Sequence, residues 1–197
     1  MSLNILNEKT QKLRDVVVTQ YPKFQQRREK LIPIAAEAIT ILKSMLEHRQ
    51  EHTELSDENE DEWILEYFAN FWIWKISELP GPKTKTKYVG QRYWSKEAIK
   101  HYEKNGITGL RHEHVYPRKK LIEKIMHKCR NRDDIKKELK KITACIITKD
   151  EHSMLNNEKE RWERYIDTGI KVVDLYKNKE LSNEDLIDLN NKKNSYG

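Results

Sequence analysis

The sequence predicts an α+β protein, mostly helical, in which N-terminal helices precede a C-terminal module with a short two-stranded sheet. Three observations predict it. Apolar residues recur at helical spacing as far as Leu79. The pattern changes near residue 88, where β-rich runs begin to alternate with short charged helices. The run TACIIT, residues 143–148, leads directly into a helix-start signature.

Residues 4–50 read as helix, with Leu6, Leu13, Val16, Val17 and Tyr21 as a first apolar stripe. Pro22 is expected to interrupt it. A second stripe runs from Leu31 through Ile34, Ala35, Ala38, Ile39 and Leu42 to Leu46, with Pro33 in the first turn, where a missing N–H costs nothing. Residues 51–62, EHTELSDENEDE, form an acidic break. The aromatic segment 63–79 follows, with Trp63, Tyr67, Phe71 and Trp74 on one helical face. That face is expected to be core and to link the two halves; an aromatic platform for bases is the alternative. Pro80-Gly81-Pro82 ends the helix, and KTKTK, residues 83–87, is a basic loop.

Tyr88 to Trp94 is a short strand or extended loop, and Ser95 caps a helix that ends at Asn105-Gly106. Ile107–Val115 reads as a strand, Pro117–Cys129 and Asp133–Lys141 as helices, and Thr143–Thr148 as a second strand. Thr148 and Glu151 fit a capping box, so a helix begins at Lys149 and is expected to reach about Thr168, where Gly169 stops it. Residues 170–176 look like a strand, and Ser182 caps a last helix before a frayed tail. The expected division is a helical region over 1–87, an α+β module over 88–180, and a C-terminal helix and tail over 181–197.

Of 197 residues, 38 are Lys or Arg and 32 are Asp or Glu, giving a net charge of +6. A moderate positive balance favours polyanionic partners, nucleic acid first. Cys129 and Cys145 form no CxxC pair, so neither a disulfide framework nor a four-cysteine zinc site is indicated, and both read as small apolar fillers. No apolar run reaches membrane-span length, and the polar N-terminus is not a secretory signal. A reducing cytoplasm is the expected setting, with no membrane partner.

The densest chemistry is GLRHEHVYPRK, residues 109–119. In a strand, His112 and His114 point to one side, and Arg111 and Glu113 to the other. Two imidazoles at that spacing can share a cation, with His152 as the best third ligand if the two strands pair. His48, His52, His101 and His127 read as surface residues.

The order strand, strand, helix resembles the ββα-metal nucleases of the HNH type, loosely, over residues 105–176. HEHVYP is similar to the end of that family's first strand. IITKDEHSMLN is similar to its second strand and ligand-bearing helix, and WERYIDTGIKVVD looks like a segment that follows such a helix. The resemblance implies a metal-dependent DNA endonuclease with His114 as general base, and Glu113 and His152 as metal ligands. Asn156 and His112 are further candidates. It implies Mg²⁺ or Mn²⁺, with Zn²⁺ a third option. Hydrolysis would need such an ion to neutralise charge on the phosphate and an imidazole to take a proton from water. Arg111, Arg118, Lys119, Lys120, Lys83, Lys85 and Lys87 would contact phosphate. The sequence departs from the family in having Glu113 where Asp is usual, no evident middle Asn, and helices between the two strands. Two other readings stand beside the nuclease. One is a non-catalytic module that binds DNA or RNA. The other is a phage- or plasmid-type inhibitory module that docks on protein through residues 63–79.

Overall fold

The computed structural model describes residues 8–52, 57–78 and 87–191. The Pro80-Gly81-Pro82 stop, Lys83, Lys85 and residues 192–197 of the tail lie outside these. The chain is α+β and mainly helical, and it forms two compact units that interleave in sequence. One contains residues 1–25, 78–116 and 143–197; the other contains 26–77 and 117–142. The chain passes between the units after residues 25, 77, 116 and 142, so a single boundary near residue 87 does not describe the division.

Helix α1, Glu8–His52, is continuous. Pro22 and Pro33 lie inside it, which corrects the expected break. Each proline removes one N–H donor, and interior proline ordinarily costs about 3 kcal/mol. Burial on both sides offsets that cost: Leu13, Val17 and Phe24 are buried before and around Pro22, and Ile32, Ala35, Ala36 and Ile39 around Pro33. Helix α2, Glu58–Ser77, begins within the acidic stretch expected to be a break. Acidic residues in a first turn favour the helix dipole, so Glu58, Glu60 and Asp61 start the helix instead of separating two.

The orientation of α2 overturns a second expectation. Leu65, Ala69, Ile73 and Ile76 are buried, whereas Trp63, Tyr67 and Phe71 are exposed. Two apolar stripes lie on opposite sides of this helix. The aliphatic one, with Ala69 at its centre, admits close helix packing, and it is the one turned inward. Trp74 is half-buried.

Strand β1, Tyr93–Ser95, runs into helix α3, Lys96–Asn105, whose first turn is capped by the Ser95 hydroxyl accepting from Ala98 N–H. Strand β2, Leu110–His114, follows. Helices α4, Arg118–His127, and α5, Arg132–Lys140, come next and belong to the second unit. Strand β3 is Ala144–Thr148 and helix α6 is Lys149–Met154, with the Thr148–Glu151 capping box formed in both directions. Helix α7, Glu163–Asp167, strand β4, Val172–Asp174, strand β5, Lys179–Glu180, and helix α8, Asn183–Asn191, complete the order.

The helix expected to run to Thr168 stops at Met154. Leu155 turns extended and is buried, Asn156 Oδ1 accepts from Glu158 N–H in a tight turn, and Arg161 takes a left-handed conformation. Gly169, at φ 70°, ends α7 as the sequence suggests.

The expected pairing of β2 with β3 is present and antiparallel, with Glu113 opposite Cys145 and His114 opposite Ala144. The sheet is larger than two strands. Its order is β2-β3-β1-β4-β5, with β1 parallel to β3 and the other pairs antiparallel. The sequence marks residues 88–94 and 170–176 as extended but not as partners of this sheet, which β1 and β4 join here; β5, at two residues, is too short to show alternation. Side chains alternate between two cores. Tyr93, Cys145, Ile147 and Val172 pack with Leu155, Trp162, Tyr165 and Leu186. Trp94, Ile146, Val173 and Leu110 pack with Leu13 and Val17 of α1 and Ala98 and Ile99 of α3. Among the described residues no helix is long and apolar enough to cross a membrane.

Candidate functional site

Strand β2 forms one edge of the sheet, and its alternation sorts the HEH triplet. His112 and His114 share parity with Leu110, so they lie on the α1–α3 face. Both are buried, with ring centroids 5.3 Å apart and nearly perpendicular. His112 Nε2 is 3.1 Å from the Gln91 side-chain nitrogen. Glu113 lies on the opposite face, above the core that holds Cys145 and Tyr165. Arg111 shares its parity and is exposed.

Glu113 is held by the chain's own cations. Arg164 is 1% exposed, and its Nη1 donates to Glu113 Oε1 at 2.9 Å. The same nitrogen donates to the His114 carbonyl at 3.2 Å. Arg164 Nε donates to the Asn156 carbonyl at 3.0 Å, and Nη2 to Asn157 Oδ1 at 2.9 Å. His152 Nε2 is 3.2 Å from the other carboxylate oxygen of Glu113. The capping box brings His152 to this place, because it fixes the start of α6 at the end of β3. Glu151 is drawn inward by the same turn and accepts from the Ser95 hydroxyl at 2.6 Å and from Thr148 N–H at 2.9 Å.

Carboxylates, a thiol and a phenol are therefore packed together under β2. Burial pushes the Cys145 thiol well above its usual pKa, helped by Glu151 and Glu113. Burial does the same to Tyr165, with Cys145 and Glu113 adding to it. Both stay neutral, so neither supplies a thiolate or phenolate near neutral pH.

These facts place each expected residue. Glu113 and His152 meet, as the resemblance implies. His114 does not converge with them: its ring is on the other face, and only its backbone carbonyl joins the cluster. His112 accompanies His114. Asn156 contributes a carbonyl to Arg164 and spends its side-chain oxygen on a turn. The donors do not form one set around an ion, and among the described residues no three His, Cys, Asp or Glu side chains do. The guanidinium of Arg164 takes one carboxylate oxygen of Glu113, and the other faces His152.

The expected phosphate contacts fall in two places. Arg111 is on β2, while Arg118, Lys119 and Lys120 occupy the first turn of α4, which has no acidic residue and no side-chain cap. The Arg118 guanidinium lies over the Trp74 ring, 5.1 Å from its centroid. Lys119 is exposed, and Lys120 and Lys87 are half-buried. Sequence reasoning missed Arg164, Asn157, Gln91 and the buried role of Glu151. Only Glu151 left a signal, the capping box.

Comparison with family models, with curated proteins and with solved structures finds no match. The likeness to the HNH type thus rests on the quoted residues alone.

Proposed function

We propose that this protein is a nucleic-acid-binding module in which the Glu113 cluster is a structural joint and hydrolysis has no part. The observation that carries the reading is Arg164. A buried guanidinium with four acceptors is not displaced cheaply, because removing it strands a buried carboxylate. Glu113 so held is not open to a divalent ion, and the imidazole assigned as base points elsewhere.

Binding is assigned to the segment 117–142. It holds eleven Lys and Arg against four Asp and Glu, a net of +7, more than the +6 of the whole chain. Three cations in the first turn of α4 oppose the helix dipole, and an anion at that end would relieve them. Lys119, Lys128, Arg130, Lys137 and Lys140 are exposed along the segment. Phosphate is the chemistry that such a surface favours, in DNA or RNA.

The test is binding of duplex DNA and of single-stranded RNA between about 50 and 200 mM salt, beside incubation of plasmid with Mg²⁺ or Mn²⁺. Affinity should fall steeply with salt, Lys119→Ala should flatten the slope by about one unit, and the plasmid should stay intact. Salt-independent or absent binding rejects the nucleic-acid assignment. Cleavage that disappears in Glu113→Gln rejects the structural joint and restores the metal-dependent nuclease.

A further inference from the structure

Helix α2 carries a feature that neither the Glu113 joint nor the basic segment uses. Trp63, Tyr67 and Phe71 are spaced by four residues on its outer side and are 63%, 66% and 46% exposed. Trp63 and Tyr67 stack, with ring centroids 5.8 Å apart and planes 24° apart. Phe71 meets Trp72 edge-on, and Lys75 Nζ lies 5.4 Å from the Phe71 centroid. A row of exposed aromatic rings on one helix is an interaction surface in its composition.

The charges around the row select its occupant. Residues 57–66 contain six acids and no Lys or Arg. Asp57, Glu58, Glu60, Glu62 and Glu66 are exposed, and Glu62 is also 3.5 Å from His127. Such a surface repels phosphate, which disfavours stacked bases. It attracts cations twice over, through carboxylates and through ring faces. The rings of α2 already accept cations within this unit, Lys75 at Phe71 and Arg118 at Trp74.

We propose that the outer face of α2 docks a basic amphipathic helix of another protein. Its Lys and Arg would meet the carboxylates and ring faces, and its apolar residues would cover Trp63 and Tyr67. A second copy of this chain does not offer both on one face: Ile34, Ile41 and Met45 are exposed on α1, but beside exposed Glu37 and Glu47. The basic segment 117–142 exposes no large hydrophobic residue.

The experiment titrates the full chain with a synthetic helical peptide of Leu, Lys and Arg, patterned with one apolar face, by calorimetry. A matched peptide with Glu in place of the cations is the control. Trp63→Ala, Tyr67→Ala and Glu66→Lys are compared with the unmodified chain; all three sites are exposed, and unchanged melting checks that each variant folds. The basic peptide should bind, less tightly in salt, and each variant should weaken it by on the order of tenfold. The acidic peptide should not bind. Failure of the basic peptide to bind, or binding that all three variants leave intact, overturns the proposal. So does equal binding of the acidic peptide. Single-stranded oligonucleotide binding that Trp63→Ala and Tyr67→Ala weaken and Lys119→Ala does not would assign the face to bases instead, and a dimer lost in Trp63→Ala would assign it to a second copy. Either result replaces the proposal.

Discussion

At the scale of single residues, Arg164 does most to define this protein. Its planar fork reaches a carboxylate, two backbone carbonyls and an amide at once, a set of acceptors in different directions that a lysine cannot match. Arg164→Ala should lower stability by about 3–5 kcal/mol, the usual loss when one member of a buried pair is removed. Arg164→Lys should recover only part of it. Denaturant unfolding of the two variants measures both. If Arg164→Ala unfolds like the unmodified chain, the guanidinium is not the anchor of the cluster. This residue also marks the limit of sequence reading. The HEH triplet is conspicuous, and its alternation correctly separates Glu113 from the two histidines. Nothing local shows that Glu113 is met from fifty-one residues away by Arg164. Ion pairs across that distance leave no period or spacing in a sequence.

At the scale of elements, the signals that act within a few residues were legible. Ser95, Thr148 with Glu151, and Ser182 each start a helix, and Gly169 ends one. α8 gives this a measurable form. Ser182 Oγ accepts from Asp185 N–H, while Asp185 accepts from Ser182 N–H at 2.9 Å and from Lys179 at 2.7 Å. The bond from Lys179, then those from Ser182, hold the Asp185 carboxyl down to about 2, below its ordinary 3.8. A depressed carboxylate stabilises the fold above its unfolded pKa. The contribution of this cap should therefore be complete above about pH 4 and fade as pH falls toward 2. Side-chain carboxyl shifts recorded by NMR during acid titration will show it. A midpoint for Asp185 near 4 would mean that the cap is not formed. Less legible were the elements fixed by competition. α2 has two apolar faces, and the sequence does not say which one the neighbours take. Pro22 reads as a stop and Pro33 as a helix start, because local propensity is visible and the burial that offsets it is not.

At the scale of the whole molecule, the basic helices α4 and α5 are inserted between the two paired strands β2 and β3. Opening β2 and β3 releases both ends of that insertion and so raises the entropy gained when its helices open. The strands have a further support, since β3 is also paired with β1. Native-state hydrogen exchange should therefore find the β2–β3 amides at least as well protected as those of α4 and α5. Better protection of α4 and α5 would show that the insertion is the more stable part and the strands depend on it. The interleaving of units also explains why a linear boundary near residue 87 describes the chain poorly. Composition changes there, but the chain returns to helices of the second unit after β2.

The ends of that insertion lie side by side, since Val115 N–H donates to the Thr143 carbonyl at 2.9 Å just beyond the last β2–β3 pair. The strands therefore fix only where the intervening chain leaves and where it returns. Charge at the exposed positions between Tyr116 and Thr143 can therefore vary without shifting the register that sets Glu113 against Arg164. The exposed charges of the proposed binding surface and the joint that holds the sheet are thus separable under mutation.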